Sequence, residues 1–282
     1  MTTLMPAPAS ERRPGTARAP VIVFDRVQLA FDDKVVLKDV SFTLAKGHTM
    51  IILGASGAGK SITLKIILGL LRADDGEVWV NGRRVDHLSE HELMSVRTDL
   101  GMIFQEGALF DSLTVRENVG YKLYEETDMS IADVNRRVEE VLGFIGLLEY
   151  IDKMPSELSG GQRRRVAIAR AMAFKPGILL YDEATTGLDP ITAITVDDEI
   201  IKLRDLEGVS SIVVTHQLRD AFYVATHMAV RSPDGTVRIV PATPQKTDEA
   251  EFIMLRDGLI CFEGNATALR GSTDPYLRTF LS

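Results

Sequence analysis

The stretch Gly54-Ala55-Ser56-Gly57-Ala58-Gly59-Lys60-Ser61 fits the pattern G-x-x-x-x-G-K-[ST], and the apolar run Met50-Ile51-Ile52-Leu53 before it supplies the buried strand that such a loop needs. Few folds accept that order of strand, glycine-rich loop and helix. Glycines let the backbone bend until several N–H groups point at one spot. A helix opening at about Gly59 adds its partial positive end, so strand, loop and helix together form an anion cradle. Lys60 then reaches the β- and γ-phosphates of a nucleotide, the Ser61 hydroxyl takes a place on Mg²⁺, and the nucleotide-binding run closes at Ile62.

Phosphoryl transfer needs an anion cradle, a metal held by oxygen ligands and a group that positions the attacking water. The chain offers each. Asp182 ends the apolar strand at 178–181, where a carboxylate beside the loop can orient Mg²⁺, and Glu183 follows as the group that polarises the water. A second anion site precedes that strand. In Leu158-Ser159-Gly160-Gly161-Gln162 a serine and two glycines stand at a helix start and again aim backbone N–H groups at one point. One nucleotide needs one cradle. The economical arrangement is therefore two copies paired head to tail, with each ATP between the loop at 54–61 of one copy and the Ser159 loop of the other.

Composition narrows the class. At 282 residues and 45% apolar content the chain can bury a sizeable core. Net charge is −8, with 40 acidic against 32 basic residues, which gives no whole-chain electrostatic footprint for nucleic acid. The single Cys261 cannot form an internal disulfide, and no Cys/His cluster has zinc spacing, which fits a reducing compartment. Residues 1–20 are rich in Ala, Pro, Arg and Thr without the apolar run of a secretory signal, and are expected to form a disordered leader. The greasiest segment, 62–71, is interrupted by Lys65, so no membrane span is expected.

Periodicity and punctuation order the rest. Strands are expected at 21–27 and 35–44 around an Asp32-Asp33-Lys34 turn, with Phe31 just before it. The helix from Gly59 is expected to be buried nearly all round and to end near Asp74-Asp75-Gly76. Asn81-Gly82 signals a hairpin. The pairs Ser89/Glu92, Thr114/Glu117 and Ser130/Asp133 mark helix starts, giving helices at about 115–126 and 131–146 after a strand that ends at Gln105. Asp189-Pro190 opens another helix, to about Leu206, and a strand at 211–214 runs into Thr215-His216. Residues 232–250, with three prolines and a Pro-Asp-Gly turn, read as an insertion on a hairpin layer, Asp257-Gly258 as a tight turn, and 276–282 as a short tail. Strand, turn and helix in alternation argue for a doubly wound α/β sheet.

Over about residues 21–230 these motifs, in this order, resemble the ATPase subunit of ABC transporters. The resemblance implies an α/β P-loop NTPase sheet with a RecA-like core, an antiparallel β subdomain and an inserted α-helical signature subdomain at about 106–175. The ATPase domain then covers 21–270, with an insertion at about 232–250 and a C-terminal tail at 271–282. Residues 54–61 correspond to the Walker A motif, Gln105 to the Q-loop with a place at the metal, 158–162 to the signature, and 178–182 to the Walker B strand with Glu183 as the catalytic carboxylate. Gly187-Leu188-Asp189 corresponds to the D-loop and His216 to the switch histidine that contacts the γ-phosphate. Phe31 stands where the family places an adenine-stacking aromatic; core packing is its other use, and stacking on a base contributes about 1–3 kcal/mol.

Residues 107–119 and 159–165 further resemble the ATPase of Mla/Mce-type phospholipid transporters. This implies ATP and Mg²⁺ as cofactors, a second copy of the chain, an integral membrane permease docking near 105–113, a substrate-binding protein with an Mce domain, and a place on the cytoplasmic face of the inner membrane. Leu109, Phe110 and Leu113 suit that docking or the core, and Arg163 to Arg165 suit either contacts to nucleotide or partner, or a solvated helix face. Ala184 departs from the proline that many members carry after the carboxylate. An importer for another small solute, and an ABC ATPase acting on DNA or ribosomes, are the alternatives. The second usually carries coiled-coil insertions or two fused units, which this chain lacks.

Overall fold

Uninterrupted apolar runs and alternating ones place the strands in two different kinds of sheet. The computed structural model describes residues 19–281. The expected leader lies outside these apart from Ala19, whose carbonyl accepts from Lys46 N–H at 3.1 Å, and Pro20. The alternating segments β1 (Pro20–Phe31) and β2 (Lys34–Ala45) pair antiparallel around Asp32. The run β3 (Thr49–Gly54) is buried along its whole length and leads through the glycine-rich loop into α1 (Lys60–Ile67). β4 (Asp75–Val80) and β5 (Arg83–Arg84) close on Asn81 and Gly82, whose φ values of 47° and 76° are those of a tight hairpin turn.

Next come α2 (Glu90–Arg97), β6 (Leu100–Ile103), and a helical block of α3 (Val115–Glu126), α4 (Ile131–Phe144) and α5 (Gly160–Ala173). The chain continues through β7 (Ile178–Asp182), α6 (Pro190–Leu206), β8 (Ser210–Val214), α7 (Leu218–Thr226), β9 (His227–Arg231) and β10 (Val237–Pro241). It ends with α8 (Pro244–Thr247), β11 (Ala250–Arg256), β12 (Leu259–Asn265), α9 (Ala266–Arg270) and α10 (Pro275–Leu281).

The central sheet has the order β12-β11-β3-β8-β7-β6, parallel except for β12, and a separate antiparallel sheet has the order β2-β1-β4-β5. Side chains alternate across a strand, so each central strand feeds two cores. Ile51, Leu53, Leu179, Tyr181, Val213 and Phe252 face the helical side, whereas Met50, Ile52, Ile178, Leu180, Ile212 and Ile253 face α1 and the antiparallel sheet. Each such fully buried side chain stabilises the fold by about 1.5–3 kcal/mol. The register sets Asp182 opposite Val214 and Val214 opposite Ile52. The loops after β3, β7 and β8 therefore leave one edge of the sheet, which is where open parallel sheets bind ligands.

The structure corrects three local expectations. Helix α1 stops at Ile67 instead of running to 74–76, because Gly69 at φ 66° turns the chain and lets Gly69 N–H and Leu70 N–H donate to Ile66 O and Lys65 O at 2.9 and 2.8 Å. Leu70 is consequently 54% exposed, so the segment is not buried all round. A side chain at 69 would be strained at that φ, and its Cβ would lie 2.6 Å from Leu93 Cδ2. Gly69→Ala is expected to lower stability by about 1–2 kcal/mol, read from the urea midpoint at unchanged slope.

Second, the strand at 250–256 pairs parallel with β3 inside the central sheet, and α7 and α10 fill spans for which no helix was expected. Third, residues 232–250 contain β10 and α8, and Lys246 Nζ, which pairs within the segment with Glu249 Oε2 at 2.6 Å, ties it to Asp205 Oδ1 of α6 at 2.8 Å.

Candidate nucleotide site

The α1 end is free where most helix starts are capped. Gly54, Gly57 and Gly59 take φ values of 152°, 79° and 101°, and the N-cap Gly59 contributes no side-chain bond to the first turn. Its N–H groups are thus available to an anion. Lys60, 5% exposed, donates from Nζ to Gly54 O at 2.9 Å and Ala55 O at 3.1 Å, and stands 3.7 Å from Glu183 Oε1. Burial lowers its pKa, and the charges of Glu183 and Asp182 oppose that shift.

Asp182, at the end of β7, accepts from Ser61 Oγ at 2.7 Å, and burial raises its pKa against that hydrogen bond. A hydroxyl and a carboxylate side by side are the hard oxygen donors that Mg²⁺ takes. Among the described residues no group of three His, Cys, Asp or Glu could hold a metal alone. The donor set therefore fits an ion that draws its remaining ligands from phosphate and water, and Ser61 and Asp182 would hold it.

Glu183 follows in a left-handed conformation, φ 52°, rare for a residue with a side chain. Its N–H donates to Val214 O at 2.9 Å, Oε2 accepts from Thr186 Oγ1 at 3.2 Å, and Oε1 lies 3.2 Å from His216 Nδ1. Lys60, Ser61, Asp182, Glu183 and His216 are thus gathered from three loops at one sheet edge. Thr186, which orients Glu183, was not anticipated; its only signal was a hydroxyl three residues after the carboxylate.

Gln105, Phe31, Asp189 and the run 159–162 stand on other elements, and no hydrogen bond joins them to this cluster. Gln105 is exposed beyond the end of β6, and Phe31, 44% exposed, stands at the tip of the β1–β2 hairpin. Asp189 caps α6, its Oδ1 accepting from Ile191 N and Thr192 N at 3.1 and 3.0 Å, and those bonds lower its pKa. Ser159 caps α5 reciprocally with Gln162: Ser159 Oγ accepts from Gln162 N at 3.2 Å and Gln162 Oε1 from Ser159 N at 2.8 Å. Gly161 packs on α6 so closely that an added Cβ would lie 2.1 Å from Thr192 Cγ2. The Ser159 cap takes the N–H groups of Ser159 and Gln162 and leaves those of Gly160 and Gly161 at the first turn, so two helix ends with N–H groups for an anion are carried on different elements of one chain.

The three arginines after the signature are part-buried and bonded to backbone carbonyls, so they are not simply a solvated helix face. Arg163 Nη1 donates to Leu158 O at 2.7 Å, Arg164 to Ala184 O and Thr186 O at 3.1 and 3.3 Å, and Arg165 Nη1 to Ile145 O at 3.2 Å. Of the three apolar residues near Gln105, Leu109 packs on the core, whereas Phe110 is 43% exposed with its ring 4.6 Å from that of Tyr121. Leu113 lines a groove of about 510 Å³ with Tyr121, Tyr124 and Ile131. Asn118 braces this segment, donating to Phe110 O, Leu113 O and Thr114 O. No helix among the described residues is long and apolar enough to cross a membrane.

The chain is similar to known proteins. Residues 37–186 match the family described as ABC transporter. Over 208 residues the chain is 43% identical to Protein TRIGALACTOSYLDIACYLGLYCEROL 3, chloroplastic, of Arabidopsis thaliana, covering 68% of this chain and 60% of that protein. Over 247 residues it is 40% identical to the Methionine import ATP-binding protein MetN of Bifidobacterium longum (strain NCC 2705), covering 83% of this chain and 61% of that protein. The chain thus spans about six tenths of the length of these two relatives. Among solved structures, a dimeric post-hydrolysis state of the ATP-binding cassette MJ0796 bound to ADP and Pi matches with a TM-score of 0.70 at 29% identity, over 86% of this chain and 98% of that one.

Proposed function

Because this chain belongs to the ABC transporter family, as an ATPase cassette that takes ATP with Mg²⁺, we propose that it works as a head-to-tail pair powering a membrane permease that moves phospholipid. The observation that carries the pairing is the placement of two anion-suited helix ends on separate elements, α1 and α5, of a single chain. Each ATP would lie between the α1 end of one copy and the Ser159 end of the other, with the ring of Phe31 on the base.

Within that site Lys60 exchanges the carbonyls of Gly54 and Ala55 for phosphate oxygens. Ser61 and Asp182, with Gln105, would hold Mg²⁺, which when bound would supply positive charge to the phosphates. Glu183 takes the proton of the attacking water as its oxygen bonds to the γ-phosphorus and the bond to ADP breaks. His216, 3.2 Å from Glu183, would contact the γ-phosphate, and Asp189, the N-cap of α6, would face the second copy.

Phospholipid as cargo is supported by the likeness of residues 107–119 and 159–165 to Mla/Mce-type ATPases and by a relative whose name contains a glycolipid. The permease helix would dock at Phe110, Leu113 and Tyr121, and an Mce-domain protein would complete the system. The chain itself would then sit at the cytoplasmic face of the inner membrane, held there by the permease. A small-solute importer is the second reading, favoured by relatives named for methionine import at 36–40% identity over 83% of the chain.

Purification of the chain with its permease from membranes in mild detergent tests the cargo. Phospholipid identified by mass spectrometry and stimulating ATP turnover is expected. Stimulation by methionine or another small solute, without lipid, would overturn the lipid reading and leave the ATPase reading intact.

A further inference from the structure

We propose that Arg164 is a positioning residue for ATP hydrolysis, clamping the loop that aims Glu183; the inference rests on the reading of Glu183 as the group that takes the proton from water. Glu183 holds a left-handed backbone at φ 52°, a conformation that persists only when its surroundings enforce it. Two backbone bonds do so from within the sheet edge, Glu183 N–H to Val214 O at 2.9 Å and Thr186 N–H to Glu183 O at 3.1 Å. The rest comes from α5. Arg164 Nε donates to Ala184 O at 3.1 Å, and its Nη2 donates to Thr186 O at 3.3 Å.

Those carbonyls flank the segment whose side chain Thr186 bonds Glu183 Oε2. Ala184 lacks the ring that fixes φ in a proline, so contacts from outside help set the direction of the turn. A guanidinium suits this task because its planar fork reaches two carbonyls at once, whereas an ammonium is a point donor on a flexible stem. The group is half-buried, where such bonds are little weakened by water, and its charge also faces Glu106 beside Gln105. Arg164 stands on the helix that Ser159 opens, so the proposed contact with a second copy's nucleotide and the aim of Glu183 share one rigid element.

The test uses full-length protein, steady-state ATPase assays and titration with a fluorescent ATP analogue. Arg164→Ala is expected to lower kcat by roughly tenfold to a hundredfold with unchanged affinity for the analogue, and Arg164→Lys to recover part of that loss. In a Glu183→Gln background, Arg164→Ala should cause no further fall. Unchanged kcat in Arg164→Ala, a loss in affinity alone, or a full additional loss on top of Glu183→Gln would each overturn the clamp. Should Arg164→Ala not fold, Arg164→Gln, which keeps one donor, is read by the same criteria. Wild-type turnover in Glu183→Gln alone would overturn the reading of Glu183 and is distinguishable from all of these.

Discussion

Glu183→Gln is expected to lower ATP turnover by roughly a hundredfold to ten-thousandfold, the range over which a positioned general base acts, while leaving nucleotide binding in place. The substitution keeps the volume of the side chain and an oxygen that can accept from Thr186 Oγ1, which lies 3.2 Å from Oε2. It removes the carboxylate that can take a proton from water. Lys60 loses its ion pair at 3.7 Å but retains Gly54 O and Ala55 O at 2.9 and 3.1 Å until phosphate replaces them. Binding therefore survives while the step that discharges it does not. At saturating ATP the variant should accumulate as a dimer in sedimentation velocity. Turnover like wild type would remove Glu183 from the base role, and a monomer under those conditions would remove the shared site.

Asp197→Asn is expected to reduce the pH dependence of stability between mildly acidic and mildly alkaline solution. Asp197 on α6 is 2% exposed, and its Oδ2 has no hydrogen-bond partner. Burial first and the neighbouring Asp220 second push its pKa up to about 8; Arg219 opposes this shift, and Asp198 adds to it. Around it, Asp220 Oδ1 accepts from Arg219 Nε at 2.7 Å, and Asp198 Oδ1 accepts from Tyr223 OH at 2.9 Å.

In the unfolded chain an aspartate titrates near 3.9. Across the window from there to about 8 the native state holds a proton that the unfolded state has released, so stability falls as pH rises. Each pKa unit of difference corresponds to about 1.4 kcal/mol, which makes the whole window an effect of a few kcal/mol. Asparagine mimics the protonated carboxyl, and its amide can donate toward Asp220 Oδ2, which has no partner. The melting temperatures at the two ends of the window should lie closer together in the variant than in the wild type. An equal slope in both proteins would contradict the assignment. Asp197 and Asp220 stand on α6 and α7, the helices that follow Asp189 and His216.

What could be read along the chain was whatever is encoded in neighbouring residues. The loop at 54–61, the strands flanking Asp182 and His216, the Asn81-Gly82 turn and the caps at Ser89, Thr114, Ser130, Ser159 and Asp189 all obey rules spanning four or five positions, and each stands where its pattern put it. Long apolar runs likewise announced strands buried on both faces, because alternation disappears when both sides of a strand meet a core.

Partnership between distant segments is different, since any carbonyl can accept and any strand edge can pair. The helix after Gly59 ended early because Gly69 turned into space beside Leu93, a neighbour 24 positions away in sequence. The strand at 250–256 joined β3 across some 200 residues. Arg163, Arg164 and Arg165 looked like a surface run until tertiary structure brought the carbonyls of Leu158, Ala184, Thr186 and Ile145 within reach. Local chemistry determined that this protein builds a phosphate cradle with a carboxylate pair behind it. Only tertiary packing decided what surrounds Glu183 in its left-handed turn, because Val214 O, Ala184 O and Thr186 O are backbone acceptors, which every residue carries alike and no sequence pattern marks as partners of Glu183 N–H or Arg164.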